Sequence, residues 1–280
     1  MTRTNRMSPR QSVLPDISSP LVCQITVTAV SIAVFALVWQ TIAAAFTPRQ
    51  FPGIIALMKN VWVVISGGDR FAPVVTYGTT ITRVVTGFMI SMVLATFWGV
   101  IMGVQQSMTD YLAGPLFVLL TVPSVVWAFV GVLWLGLTEF AVPVLVIVLI
   151  VFPYLTTIIW EGTRDLNEDL LKMATTYDAR RSHIWRDIYL PHIKPVLFGA
   201  MRVGLAVSWK LALVAEVFGT ATGVGVAVNY HFEAFDTGMV IAWAIPVMGV
   251  MIIADRLLRW SERQAAQKRG YDTETTNLIA

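Results

Sequence analysis

Charge is what this sequence most lacks. Asp, Glu, Lys and Arg make up 13% of its 280 residues, about half the share carried by a soluble domain. No charge falls between Asp16 and Arg49, Arg83 and Asp110, Asp110 and Glu139, Glu139 and Glu161, or Asp236 and Asp255. Such gaps match the roughly 17–25 apolar residues that cross a bilayer as a helix. Backbone in lipid must satisfy its own hydrogen bonds, so helices are the natural reading. Buried core helices of a soluble protein would explain one such gap, but not five. Cysteine is nearly absent. Cys23 stands alone, which excludes an intrachain disulfide and a Cys-based zinc site. At the start of an apolar run it reads as a small buried hydrophobe rather than a reactive thiol. His183, His192 and His231 are dispersed and form no metal constellation. No paired acids, Ser/His pair or metal cluster is visible at one depth, as an intramembrane enzyme would need.

What is present reads as six helices, at about 22–46, 75–104, 111–135, 140–160, 196–218 and 237–258. The polar leader and the triplet Ala43-Ala44-Ala45 imitate a signal peptide with a cleavage site. The apolar run is longer than a signal core, which favours a retained anchor. Residues 48–68 predict an interfacial helix that starts after Pro52 and stops at Gly67-Gly68. Residues 223–238 predict a turn and a second amphipathic piece. The expected organisation is an N-tail over 1–20, the first helix and interfacial helix over 21–74, a transmembrane domain over 75–260, and a C-tail over 261–280. Both tails are expected to be loosely ordered.

Six crossings put both termini on one side. Of the Lys and Arg residues, 14 fall in the N-tail, in the long polar segment around 164–194 and in the C-terminal end from Arg256 onward. The opposite loops hold only Arg49, Lys59 and Arg70. Positive loops stay cytoplasmic, so both termini and the polar segment are expected in the cytoplasm of a multi-pass inner-membrane protein.

That segment, "DLLKMATTYDARRSHIWRDIYLPHIKP", is long enough for two short helices. Leu170, Leu171 and Ala174 share one face in the first half, with Met173 and Tyr177 adjacent. Ile184 and Ile188 meet in the second, with Trp185 more loosely beside them. Asp178 falls at the expected break. Pro191 is expected to end the second half and Pro195 to open the fifth span. Such an amphipathic knuckle suits docking into another protein; a basic loop that merely fixes topology fits the composition equally.

The segment resembles the cytoplasmic Glu-Ala-Ala loop of ABC importer permeases, which reads Glu-Ala-Ala, three residues, Gly, nine residues, then Ile-x-Leu-Pro. Ala174, Ile188, Leu190 and Pro191 match that pattern. Lys172, Met173 and Asp178 depart from it, with Asp178 at the glycine position. The stretches 79–103, 114–137 and 199–225, with "TVPSVVWAF", "WLGL", "VAE" and "GVG", are similar to the nitrate/sulfonate/taurine subgroup. The resemblance implies an all-α integral membrane protein of the type I importer permease (MetI-like) fold, with cytoplasmic coupling helices at 161–195. It implies a subunit forming the path for a small solute: an anion such as nitrate, sulfonate or taurine, or a vitamin or pyrimidine precursor. The implied partners are two cytoplasmic ATPases, an extracytoplasmic binding protein and a second permease copy or relative, within the lipid bilayer; neither a cofactor nor nucleic acid is expected. The chain has no Gly-x-x-x-x-Gly-Lys-Ser/Thr loop, so ATP hydrolysis is expected on a partner rather than here. The alternative is a stand-alone secondary transporter or channel, for which Glu216 would be the one coupling-ion candidate.

Four ionisable residues lie within the second and fifth spans, where charge is costly and tends to face protein or a wet path. Arg83 and Glu216 fall near the same outer level; they read first as a structural ion pair and second as a gate. Arg202, two turns inside the fifth span, reads as snorkelling or bonding helix-end carbonyls, ahead of contacting substrate. Lys210 sits nearest the middle of the fifth span beside Trp209. It could meet an anionic head group while the indole packs on an organic tail, or be paired across a dimer or satisfied by Ser208 and water. Gly99-x-x-x-Gly103 predicts close helix packing.

Overall fold

The computed structural model describes the backbone of residues 20–267 and the side chains of 26–264. The expected loose order of the N-tail and of the last 13 residues, and the expected burial of the Cys23 side chain, lie outside the described residues. The described chain is all helix and turn. α1 (Pro20–Ala44) leads to α2 (Ile54–Ser66), α3 (Pro73–Val104), α4 (Gln106–Thr121), α5 (Ser124–Leu135) and α6 (Ala141–Arg164). Then come α7 (Glu168–Thr176), α8 (Arg181–His183), a π-helical turn (Ile184–Tyr189), α9 (Leu190–Gly219), α10 (Val224–Glu233) and α11 (Thr237–Gln267). α1, α3, α6, α11 and the continuous run Arg181–Gly219 are each long and apolar enough to span a membrane.

The third expected span is not one helix. α4 and α5 meet at Val122-Pro123 with a bend of 94°. Proline removes an N–H and clashes with the carbonyl four residues back, so the helix must break there. The pair still carries the chain across the bundle, as the glycines of α3 reveal. A Cβ on Gly87 would sit 2.8 Å from Ile147, on Gly99 2.8 Å from Ile159, and on Gly103 2.5 Å from Thr163. The partner number rises with the glycine number, so α3 and α6 run parallel, and the bent pair must return the chain between them. The Gly99/Gly103 expectation of close packing is met against α6. α9 runs the other way against α6: Gly162 abuts Val196, Gly204 abuts Leu155, and Gly219 abuts Val142.

The core lies where these helices meet. Val84, Phe88 and Ala95 of α3 pack with Ile147, Val151, Leu155 and Ile159 of α6, Ala200, Trp209 and Ala212 of α9, and Trp243 of α11. α2 matches its predicted bounds and ends on Gly67 at φ 76°, a left-handed cap that glycine adopts without steric cost. It buries Val61 and Val64 and leaves Ile55 and Trp62 exposed.

Two further expectations fail. Pro191 does not end a helix, and Pro195 does not open one; α8, the π turn and α9 run on without a break. In the π turn the Leu190 N–H reaches back five residues to the Trp185 carbonyl. That wider turn just before Pro191 accommodates a residue that cannot donate. The expected C-tail is helical over 261–267, as the end of α11.

Candidate functional site

The two ends of the bundle carry the polar chemistry. At one end, Arg83 and Glu216 are both buried. Arg83 Nη1 donates to Glu216 Oε1 at 2.7 Å and to the Thr222 carbonyl at 2.7 Å. Its Nη2 donates to Glu139 Oε2 at 3.1 Å and Thr222 Oγ1 at 2.8 Å. Glu216 Oε2 also accepts the Gly225 N–H at 2.9 Å, and the Thr80 hydroxyl lies 2.8 Å from Oε1. Thr80 Oγ1 in turn accepts the Val224 N–H. A buried ion pair loses hydration on both partners, and the loss is offset only when the remaining donors and acceptors are satisfied. This cluster meets that condition. It fastens α3, α9, the α9–α10 turn and the α5–α6 loop into one unit.

The glycines of the turn make room for it. Gly223 lies at φ 114°, and a Cβ there would strike the Glu216 carboxylate. A Cβ on Gly225 would sit 2.5 Å from the Leu213 carbonyl. The Arg83–Glu216 pair is the one read from the sequence. Thr80, Glu139 and Thr222 were missed. Glu139 had a signal: it closes a charge-free run at the level of Arg83 and Glu216. It is half exposed. Hydrogen bonds from the Thr222 hydroxyl and the Ala221 N–H, with Arg83 beside it, hold its carboxyl below the usual range against the opposing effect of burial.

A second cluster at this end was also missed. Asp69 Oδ2, in the α2–α3 loop, lies 2.9 Å from His231 Nε2 and accepts the Trp243 indole N–H at 2.8 Å. It thereby joins that loop to α10 and α11. Burial pushes the Asp69 carboxyl up, but hydrogen bonds from His231, the Arg70 backbone and Trp243 outweigh it and hold the group below its ordinary value.

At the opposite end, α7 is capped by Asn167, whose side chain accepts the Asp169 N–H at 2.9 Å. It closes in a Schellman motif. Ala179 N–H bonds the Ala174 carbonyl and Asp178 N–H bonds that of Thr175, with Asp178 at φ 50°. Asp178 therefore adopts the left-handed conformation in which glycine is usual and Asp is tolerated. Ala174 is buried, and Ile184 and Ile188 are half-buried. Leu170, Met173 and Tyr177, at the end of α7, are exposed. Trp185 stacks on Tyr189 at 4.7 Å, and Leu190 is exposed. Lys172 makes exposed contacts with Glu168 and Asp169 at 3.4 and 3.6 Å, which contribute at most ~0.5 kcal/mol each.

Along α9, Arg202 reaches across to α11. Its Nε donates to Asp255 Oδ1 of α11 at 3.0 Å, and Asp255 also accepts from Arg259 at 2.7 Å. Trp209 and Lys210 do not share a face. Trp209 is buried in the core, while Lys210 is exposed and meets no ion-pair partner among the described residues. Successive helical positions point about 100° apart, which separates them. Ser208 is buried and bonds the Gly204 carbonyl, so it does not serve Lys210.

Residues 95–267 match the family described as binding-protein-dependent transport system inner membrane component. The chain is 23% identical to the taurine transport system permease protein TauC of Escherichia coli, covering 90% of this chain and 92% of the relative. It is 23% identical to the nitrate import permease protein NrtB of Synechocystis sp., over 84% and 86%. It is 25% identical to the putative aliphatic sulfonates transport permease protein SsuC of Bacillus subtilis, over 85% of each. Among solved structures it is similar in fold to the inward-facing MetNI methionine ABC transporter, with a TM-score of 0.52 and 13% identity over 78% of this chain and 97% of that one.

Proposed function

The chain belongs to the family of binding-protein-dependent transport system inner membrane components, and from that premise we propose how its parts divide the work of an importer. It is the permease subunit of an ABC importer: a helical body that forms the path for a small solute. The observation that carries this reading is the extent of the family match. Residues 95–267 run from the last third of α3 into α11 and take in the whole of α6, α9 and the polar segment between them.

The segment 161–195 is the cytoplasmic coupling element of a transmembrane domain spanning 75–260. Both chain termini lie in the same compartment. Two observations support this placement. α7 lies at the Asp255 end of the bundle, away from Glu216, and among the described residues that end carries most of the basic side chains. Lys172, Ala174, Asp178, Ile188, Leu190 and Pro191 hold this element. Its exposed apolar face, Leu170, Met173 and Tyr177, is offered to a separate ATPase. Because α8, the π turn and α9 are continuous, a push on α7 and α8 is transmitted along α9 to Glu216. That is a rigid-body route from nucleotide hydrolysis to the far side of the membrane.

The solute is a small anion. Relatives are named for nitrate, taurine, aliphatic sulfonates and bicarbonate, and Lys210 is an exposed cation within the α9 span. Lys210 stands as the candidate contact, and the Arg83–Glu216 cluster as the fastener of the outer mouth. Trp209 and Arg202 hold α9 in place from the core and from α11. An extracytoplasmic binding protein delivers the solute, and a second permease completes the path.

The test is co-purification of the tagged chain with an ATPase, together with uptake of radiolabelled nitrate and a sulfonate by cells carrying the complete system. Variants of Leu190 and Pro191 are expected to keep the protein in the membrane and lose uptake. Normal uptake by these variants, or uptake that persists without any nucleotide-hydrolysing partner, would overturn the reading in favour of a stand-alone transporter.

A further inference from the structure

The last described helix, α11, carries two exposed arginines to which the proposed transport path assigns no part. α11 is 31 residues long, or about 46 Å at 1.5 Å per residue, whereas a hydrocarbon core is only about 30 Å thick. Counted from Thr237, Arg256 lies about 28 Å along the axis and Arg263 about 39 Å. With Thr237 at one membrane border, both fall in the headgroup layer of the opposite leaflet. Arg256 and Arg263 are seven residues apart, which places them on one helix face. Both are exposed, and neither has an ion-pair partner among the described residues. Arg259 lies between them, held by Asp255, and Trp260 is 60% exposed beside it.

The same face changes character toward the bundle. Ile252 and Met248 are exposed, and a Cβ on Gly249 would meet nothing within 4 Å. One face thus presents open apolar surface at hydrocarbon depth, an indole at the border, and two free guanidiniums at headgroup depth. Counting Arg202, Arg256, Arg259 and Arg263 against Asp255 and Glu262, the local charge is positive. Guanidinium binds phosphate through paired N–H donors.

We propose that this face of α11 binds an anionic phospholipid, with its phosphodiester on Arg256 and Arg263 and an acyl chain along Ile252, Gly249 and Met248. The charge complementarity selects a lipid of net negative headgroup over a zwitterionic one. Such a lipid would brace the Arg202–Asp255 link between α9 and α11 from the membrane side. The proposal rests on the reading that this end of α11 lies at the cytoplasmic leaflet.

The experiment uses the full chain in zwitterionic detergent. Phosphatidylglycerol, phosphatidylcholine or inorganic phosphate is titrated in, and retained lipid is measured by native mass spectrometry alongside the thermal midpoint. Phosphatidylglycerol is expected to be retained and to raise the midpoint; the other two are not. Each arginine near an anionic headgroup contributes about fivefold in affinity, so R256Q/R263Q should weaken retention by about 30-fold while R256K/R263K keeps most of it. Circular dichroism confirms that the variants are folded. Equal retention of phosphatidylcholine, equal stabilisation by free phosphate, or no change in R256Q/R263Q would overturn the site. Labelling of Gln264→Cys, in a Cys23→Ser background, from either side of sealed vesicles tests the orientation separately.

Discussion

Removing Arg83 should expose how the outer end is held. In Arg83→Met the fully buried Glu216 carboxylate keeps only the Thr80 hydroxyl and the Gly225 N–H. Breaking a buried pair by deleting one partner costs about 3–5 kcal/mol, because the remaining charge is stranded. In Glu216→Gln the shape is kept and Arg83 retains Glu139 and both Thr222 contacts. The loss is then that of a charge-assisted bond, about 1.5–3 kcal/mol. Arg83→Met/Glu216→Gln removes the stranded charge. It should therefore be more stable than the sum of the single losses, by a coupling of about 2–3 kcal/mol. That is roughly a 30-fold to 150-fold effect on the unfolding equilibrium. The assay is reversible unfolding in mixed micelles containing a denaturing detergent, followed by tryptophan fluorescence. Additive single effects would refute the claim that the two side chains act as one buried unit. Arg83→Lys is a useful control: it keeps the charge but loses the fork that serves Glu216 and Glu139 together.

Three other outcomes are expected. Asp178→Gly should leave uptake intact or improved, because glycine takes φ 50° without strain, whereas Asp178→Val should destabilise the α7 cap by about 1–2 kcal/mol and lower coupled uptake; equal uptake by Gly and Val variants would sink the argument. Asp69 has its folded carboxyl held below the ordinary carboxylate value, so its contribution is present above that ordinary value and fades as pH falls from there through the lower folded value. Asp69→Asn should flatten that acid limb of the stability profile, and at neutral pH Asp69→Ala should cost about 1–3 kcal/mol by orphaning His231 and Trp243. Lys210→Met should raise KM for an anionic solute with little change in stability, since Lys210 makes no internal ion pair; an unchanged KM would remove Lys210 from the path.

Much of this was legible in the residues, and the misses have a common form. Hydropathy located the spans because the bilayer imposes a length, and α2 ended at the glycine expected of it. The Arg83–Glu216 pair could be read because two costly charges at one depth invite each other. Asp69, His231 and Trp243 could not, since their partnership joins an ordinary-looking loop to two helices 162 and 174 residues further on. Pro191 misled for a local reason: a proline predicts a stop only when the turn before it is an α turn.

The sequence by itself determined that the chain is a bundle of membrane-spanning helices with one polar segment between the fourth and fifth, because apolar length and charge distribution are fixed residue by residue. Only the tertiary structure decided that α4 and α5 cross at a sharp bend, that Arg202 answers to Asp255, and that Trp209 faces the core while Lys210 does not. Those outcomes depend on which helix faces meet, and the meeting is set by glycines and buried polar groups distant in sequence that must be satisfied together.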